Sequence, residues 1–214
     1  MSGDGPIDAG SLARLRAIAI RVQAALERLY QLERIASIED YVETGGAGER
    51  EALLLREAPG GDLEVRLTLP ALSAPGSGLP FDTLCQIIEG VSHFVYVVER
   101  ARRGRETTQL ELEVQAEVDK WVVLAASMRS FDARGSAELR ARLYEGFALI
   151  HDGETLEERV LAERYRVAND AAHGFVRRLE REYVGPARFA ELHAELWRFF
   201  HVGQEGKLRL GRAA

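Results

Sequence analysis

The 214 residues include one cysteine, two lysines and six prolines, and 7% of them are aromatic. The lone thiol, Cys85, excludes a disulfide framework or a cysteine-rich zinc module. Apolar stretches such as 94–98 fall far short of the roughly 20 residues a spanning helix needs, so no membrane partner is expected. Residues 1–10 lack the basic stretch that opens a secretory signal, and a cytoplasmic protein with a free thiol is expected. Glycine and proline, 20 and six residues, are too few for a low-complexity chain. No Walker loop, Gly-x-Gly-x-x-Gly, nucleophile elbow or His-Glu-x-x-His is present, so no cofactor and no metal are expected from motifs.

Basic charge is scarce as well as skewed. Against 34 acidic residues stand 28 basic ones, a net charge of −6, which argues against a nucleic-acid partner. Of those 28, 26 are arginine and only Lys120 and Lys207 are lysine. The arginines recur beside glutamates, as at Arg100 with Glu99 and Arg159 with Glu158, which reads as ion-paired helix surface rather than a phosphate-binding patch. Lys120 stands out as a lysine where the chain otherwise uses arginine.

What the chain does have is periodicity, with 46% hydrophobic residues set mostly at helical spacing. Leu15, Ile18, Val22, Ala25, Leu29, Leu32 and Ala36 form one stripe on a helix of about 25 residues. After 45–48 the period becomes two: Leu63, Val65, Leu67 and Leu69 alternate with polar residues, and with 52–56 they predict a β-hairpin around Pro59-Gly60-Gly61. Residues 70–80 form a loop and a candidate boundary, dividing 1–70 from 81–214, unless the two make one continuous domain. Helices are predicted over 82–103, 108–127 and 136–150, although 109–114 also alternates like a strand. Two more follow, the first opening on a Thr155/Glu158 capping box. The fold expected is mainly α with a small β-hairpin (α+β), a helical bundle of about five to six helices.

Three groups of residues could carry chemistry. On the 82–103 helix Glu89 and His93, four apart, could reach one ligand, and Glu113 could join them from the next helix; a solvated Glu–His pair is the simpler alternative. Glu117 flanks the Leu110–Trp121 stripe, where desolvation would make it a general acid or base, unless Lys120 merely pairs with it. Arg166 and His173, seven apart on one helix face, resemble the Arg–His motif of HEPN-type ribonucleases. That resemblance spans eight residues and implies an RNA-cleaving pair assembled across a dimer; the position after the arginine, polar in that family, is Val167 here.

No set of catalytic groups is assembled by the sequence alone, while broad apolar helix faces are abundant. The function expected is therefore a helical protein–protein interaction or scaffold module, self-associating or bound to a protein partner. Trp197, Phe199 and Phe200 are the expected interface. The alternative is a small-ligand- or metal-binding helical protein or enzyme using the 82–127 helices, or the ribonuclease.

Overall fold

The computed structural model describes residues 9–46, 49–57, 63–72, 78–146 and 155–212. Among them are seven α-helices and one three-stranded sheet, so the chain is mainly helical with a small β element, one or two helices more than expected. Helix α1 spans Ala9–Tyr30, β1 Val42–Thr44, β2 Ala52–Glu57 and β3 Leu63–Leu69. Then follow α2 (Phe81–Arg102), α3 (Gln109–Ala126), α4 (Ala133–Arg140), α5 (Leu156–Leu179), α6 (Phe189–His201) and α7 (Gln204–Arg212). Single π-helical turns extend α4 through Glu145 and α5 through Val184.

Helix α1 stops six residues before its apolar stripe does. Gln31 takes a positive φ of 54°, and the chain continues as a loop held by the buried Gln23. The Gln23 Nε2 donates to the Ala36 carbonyl at 2.7 Å, and its Oε1 accepts from the Ile38 N–H at 3.0 Å. Leu32 and Ala36 thus meet the core from a loop, and the apolar spacing concealed the break.

The two strands expected of the hairpin pair and gain a third, while the turn around Pro59-Gly60-Gly61 lies outside the described residues. β2 pairs antiparallel with β3, and β1 adds in parallel on its other side, giving the order β1-β3-β2. The alternating pattern puts Leu67 and Leu69 inward, where they pack under α2. There Gly90 is a spacer. A Cβ on it would lie 2.7 Å from Leu69 Cδ2 and 3.1 Å from Leu67 Cδ1. The sheet can therefore approach α2 closely, which carries Glu51, just ahead of β2, to the neighbourhood of Glu89.

The ambiguous 109–114 segment is helical. Thr108 caps it, its Oγ1 accepting from the Glu111 N–H at 3.1 Å. α3 is the axis of the bundle, in contact with α1, α2, α4, α5 and α7. That position buries Glu111, Glu113, Gln115, Glu117, Asp119 and Lys120. One apolar core takes in residues from both sides of the 70–80 segment, from Leu15 in α1 through the sheet and α2 to Leu210 in α7; residues 73–77 lie outside the described residues. The 136–150 prediction is met by α4 and its π turn as far as Glu145, and residues 147–150 lie outside the described residues. The capping box forms with both hydrogen bonds in place. No described helix is long and apolar enough to cross a membrane.

Candidate functional site

A central helix with polar groups on opposite sides creates two buried networks, and each contains one of the two lysines. Burying six polar side chains on one helix is costly unless every one finds a partner. The networks differ in how well that condition is met.

The first ties α1, α2, α3 and α7 together. Asp119 Oδ1 accepts from the Tyr30 hydroxyl and from Gln115 Nε2, the latter at 2.9 Å; Oδ2 accepts from the Ser92 hydroxyl at 2.6 Å. Lys207 Nζ donates to Gln115 Oε1 at 2.5 Å and to the Phe199 carbonyl at 2.7 Å, between the rings of Tyr96 and Phe199. Burial pulls the Lys207 ammonium down to about 7 and pushes the Asp119 carboxyl up to about 6. Tyr30, Ser92, Gln115, Asp119 and Lys207 each have hydrogen-bond partners, so this network reads as a structural clasp.

The second lies among α2, α3, α5 and the chain entering β2, and it is not satisfied. Lys120 Nζ donates to Glu117 Oε1 at 2.6 Å and to Glu89 Oε2 at 3.2 Å. His93 Nε2 stands 3.7 Å from Glu113 Oε2, and Arg164 Nε stands 3.8 Å from Glu113 Oε1, both too long for hydrogen bonds. Glu51 is in hydrogen-bonding reach of Glu89, carboxyl against carboxyl. Three wholly buried atoms here make no hydrogen bond: His93 Nε2, Arg164 Nε and Glu51 Oε2, the last 3.9 Å from Arg50 Nε.

Electrostatics follow from this crowding. Burial, with the Glu89 charge next, pushes the carboxyls of Glu51 and Glu113 up to about 8. Burial acts the same way on Glu89, but Lys120 and His93 outweigh it and hold that carboxylate below its ordinary range. Burial opposes the Lys120 charge, but Glu117 and Glu89 more than compensate, so the ammonium stays protonated. Burial also lowers His93, which keeps its imidazole neutral near pH 7 and able to act as a ligand. Tyr165 of α5 faces the same carboxylates and is pushed up to about 12 by burial and their charge. Cys85 is near Lys120 and Glu117, its thiol raised to about 11 by burial.

Glu89, His93 and Glu113, expected to share a ligand, are brought together, with one donor atom from each lying within 4.8 Å of the others. Glu117 is locked against Lys120, and its backbone carbonyl accepts from Tyr144 at 2.9 Å. Arg166 is exposed and paired with Glu163 and Asp170, while His173 stacks on Tyr144 beside Arg140, so the two residues have separate partners. Of the expected interface, Phe199 and Phe200 are core residues, stacked on Phe175 and Tyr30, and only Trp197 is exposed. Sequence reasoning missed Glu51 and Arg164, which reach the site from distant segments. Gly90 is the one local sign that another segment packs closely there.

No family model, curated protein or solved structure matches the chain.

Proposed function

We propose that this chain is a ligand-binding helical protein whose functional centre is the cluster of Glu51, Glu89, His93, Glu113 and Glu117, and that its ligand is a small cation. One observation carries this reading: four buried carboxyls face the cations Lys120 and Arg164, with Arg50 at the edge 3.9 Å from Glu51 Oε2, while His93 Nε2 and Glu51 Oε2 make no hydrogen bond. A structural network would be closed, as the Asp119 network is, because each buried polar atom left unpaired costs about 1–3 kcal/mol. A bound cation would supply the missing charge and the missing contacts together.

Thermal unfolding with a panel of cations, from divalent metals to ammonium and spermidine, tests the reading. At least one of them raises the Tm of the wild type and leaves that of Glu113→Gln unchanged. A panel without effect on the wild type sinks the proposal.

Self-association is the second reading. It is supported by an apolar hollow of about 270 Å3 lined by Leu53, Val65, Phe94, Val97, Ala101 and the half-exposed Ile35. Trp197 and Phe189 add exposed aromatic surface on α6. Light scattering should then find a dimer at micromolar concentration, and a monomer at 100 µM (roughly the upper range of specific weak contacts) would refute it.

A further inference from the structure

Resting on the cation-binding reading, we propose that the ligand is a single divalent first-row transition-metal ion, held by Glu89, His93 and Glu113, with the Lys120 ammonium filling the place a second ion would take. The donors come from two helices in a fixed relation. Glu89 and His93 are one turn apart on α2, and Glu113 faces them from α3. Their ligating atoms already lie within 4.8 Å of one another, and the His93 Nε2–Glu113 Oε2 distance is 3.7 Å. Metal–ligand bonds of about 2.0–2.2 Å place neighbouring donors roughly 3.0–3.5 Å apart, so binding needs movements of about an ångström at side-chain ends.

Two independent observations point into the cluster. His93 Nε2 is wholly buried with no hydrogen bond. The Glu51 side chain, 6% exposed, likewise has an Oε2 with no hydrogen bond, its nearest cation being Arg50 Nε at 3.9 Å, next to the proposed ligand Glu89. The ring of His93 meets the backbone of Leu112, the kind of contact that orients a ligating imidazole.

Charge and donor chemistry select the ion. Four carboxyls stand opposite Lys120, Arg164 and, at the edge, Arg50, so the fully ionised cluster carries excess negative charge that a cation offsets. One imidazole with two carboxylates suits Mn2+, Fe2+, Co2+ or Zn2+; Ca2+ prefers six to eight oxygens, and soft Cu+ prefers sulfur. Geometry limits the number to one. In a two-metal carboxylate site the second ion would lie about 3.5–4 Å from the first and bridge Glu89 to a further glutamate. Here Lys120 Nζ makes that bridge, 3.2 Å from Glu89 and 2.6 Å from Glu117. A lysine fits because its compact ammonium is a point charge between two carboxylates, as a metal ion is, whereas a guanidinium spreads its donors over a planar fork.

The test is titration of chelator-treated full-length protein with ZnCl2 and with MnCl2 by calorimetry, plus spin-echo spectroscopy of the Mn2+ form. The expected result is one ion per chain, an affinity at least about 100-fold weaker in Glu113→Gln and in His93→Gln, and no change in Asp170→Asn, an exposed carboxylate. The spin-echo signal, read on the wild type alone, should carry modulation from one imidazole nitrogen, which keeps the proposal testable even if both variants misfold. Two equivalent ions per chain, no nitrogen modulation, or variants that bind like the wild type overturn the proposal. Stabilisation by spermidine or ammonium but by no metal would overturn it while leaving the cation-binding reading intact; no response to any cation would end both.

Discussion

Lys120 is the hinge of the charge balance, and replacing it with methionine should have a large effect with a distinctive pH dependence. Methionine keeps the length of the apolar stem, so the change removes the ammonium without opening a large cavity. Two close contacts are lost together, at 2.6 Å to Glu117 and 3.2 Å to Glu89, in surroundings that already hold Glu51 and Glu113. Removing one partner of a buried ion pair costs about 3–5 kcal/mol, a large share of the roughly 5–15 kcal/mol that a domain has. The pH dependence has a definite sign. Without Lys120 the Glu89 carboxyl rises above its unfolded value of about 4.3, and that of Glu117, already raised by burial, rises further. The folded variant then binds more protons than the unfolded chain above that pH, so its stability falls as pH rises. Urea unfolding followed by tryptophan fluorescence, with chelator present, should give a loss of about 3–5 kcal/mol at pH 7.5 and a clearly smaller loss at pH 5. The exposed pair Arg134–Glu138 is the control, and Arg134→Met should change nothing measurable. A Lys120→Met loss under about 1 kcal/mol at pH 7.5, or one that grows as pH falls, would refute the account.

Three further outcomes are expected. Gly90→Ala should destabilise by about 1–3 kcal/mol in thermal or urea melts despite the better helix former, because its methyl would meet Leu69 and Leu67 across the sheet–helix contact; a stabilised variant contradicts this. Lys207 loses its proton near 7 when folded and near 10.5 when unfolded, so wild-type stability should gain from it as pH rises between those values, by up to about 1.4 kcal/mol per unit. Lys207→Met should lack that gain, and identical pH profiles would rule it out. Cys85, half buried and raised to about 11 by burial, should react with a thiol reagent far more slowly at pH 8 in the folded protein than in urea; equal rates would contradict its burial.

The helices, the hairpin and the capping box were legible because each is a local pattern. Leu67 and Leu69 declare an inward face by alternation, and Thr155 with Glu158 declares a helix start. The end of α1 was not legible, because what breaks it is Gln31's backbone and a tertiary clasp by Gln23, neither of which disturbs apolar spacing. The site was half legible. Glu89, His93 and Glu113 could be grouped from their helical positions, yet a helix with polar residues on several sides reads as solvated surface when nothing indicates that it is the axis of the bundle. Lys120 and Lys207 appeared only as a compositional oddity. In the fold each is the buried cation of one network, while the arginines stay largely at the surface in pairs such as Arg34–Glu27 and Arg188–Glu191. Phe199 and Phe200 illustrate the opposite error, an aromatic cluster taken for a docking surface that the chain uses to close its own core.

The most direct measurement is a crystal structure of the full chain soaked in MnCl2, with anomalous data collected. The account predicts one anomalous peak per chain, about 2.0–2.2 Å from His93 Nε2 and from one carboxylate oxygen each of Glu89 and Glu113, with Lys120 still seated between Glu89 and Glu117. A peak elsewhere, a second ion displacing Lys120, or a cluster that stays metal-free at saturating Mn2+ would contradict it.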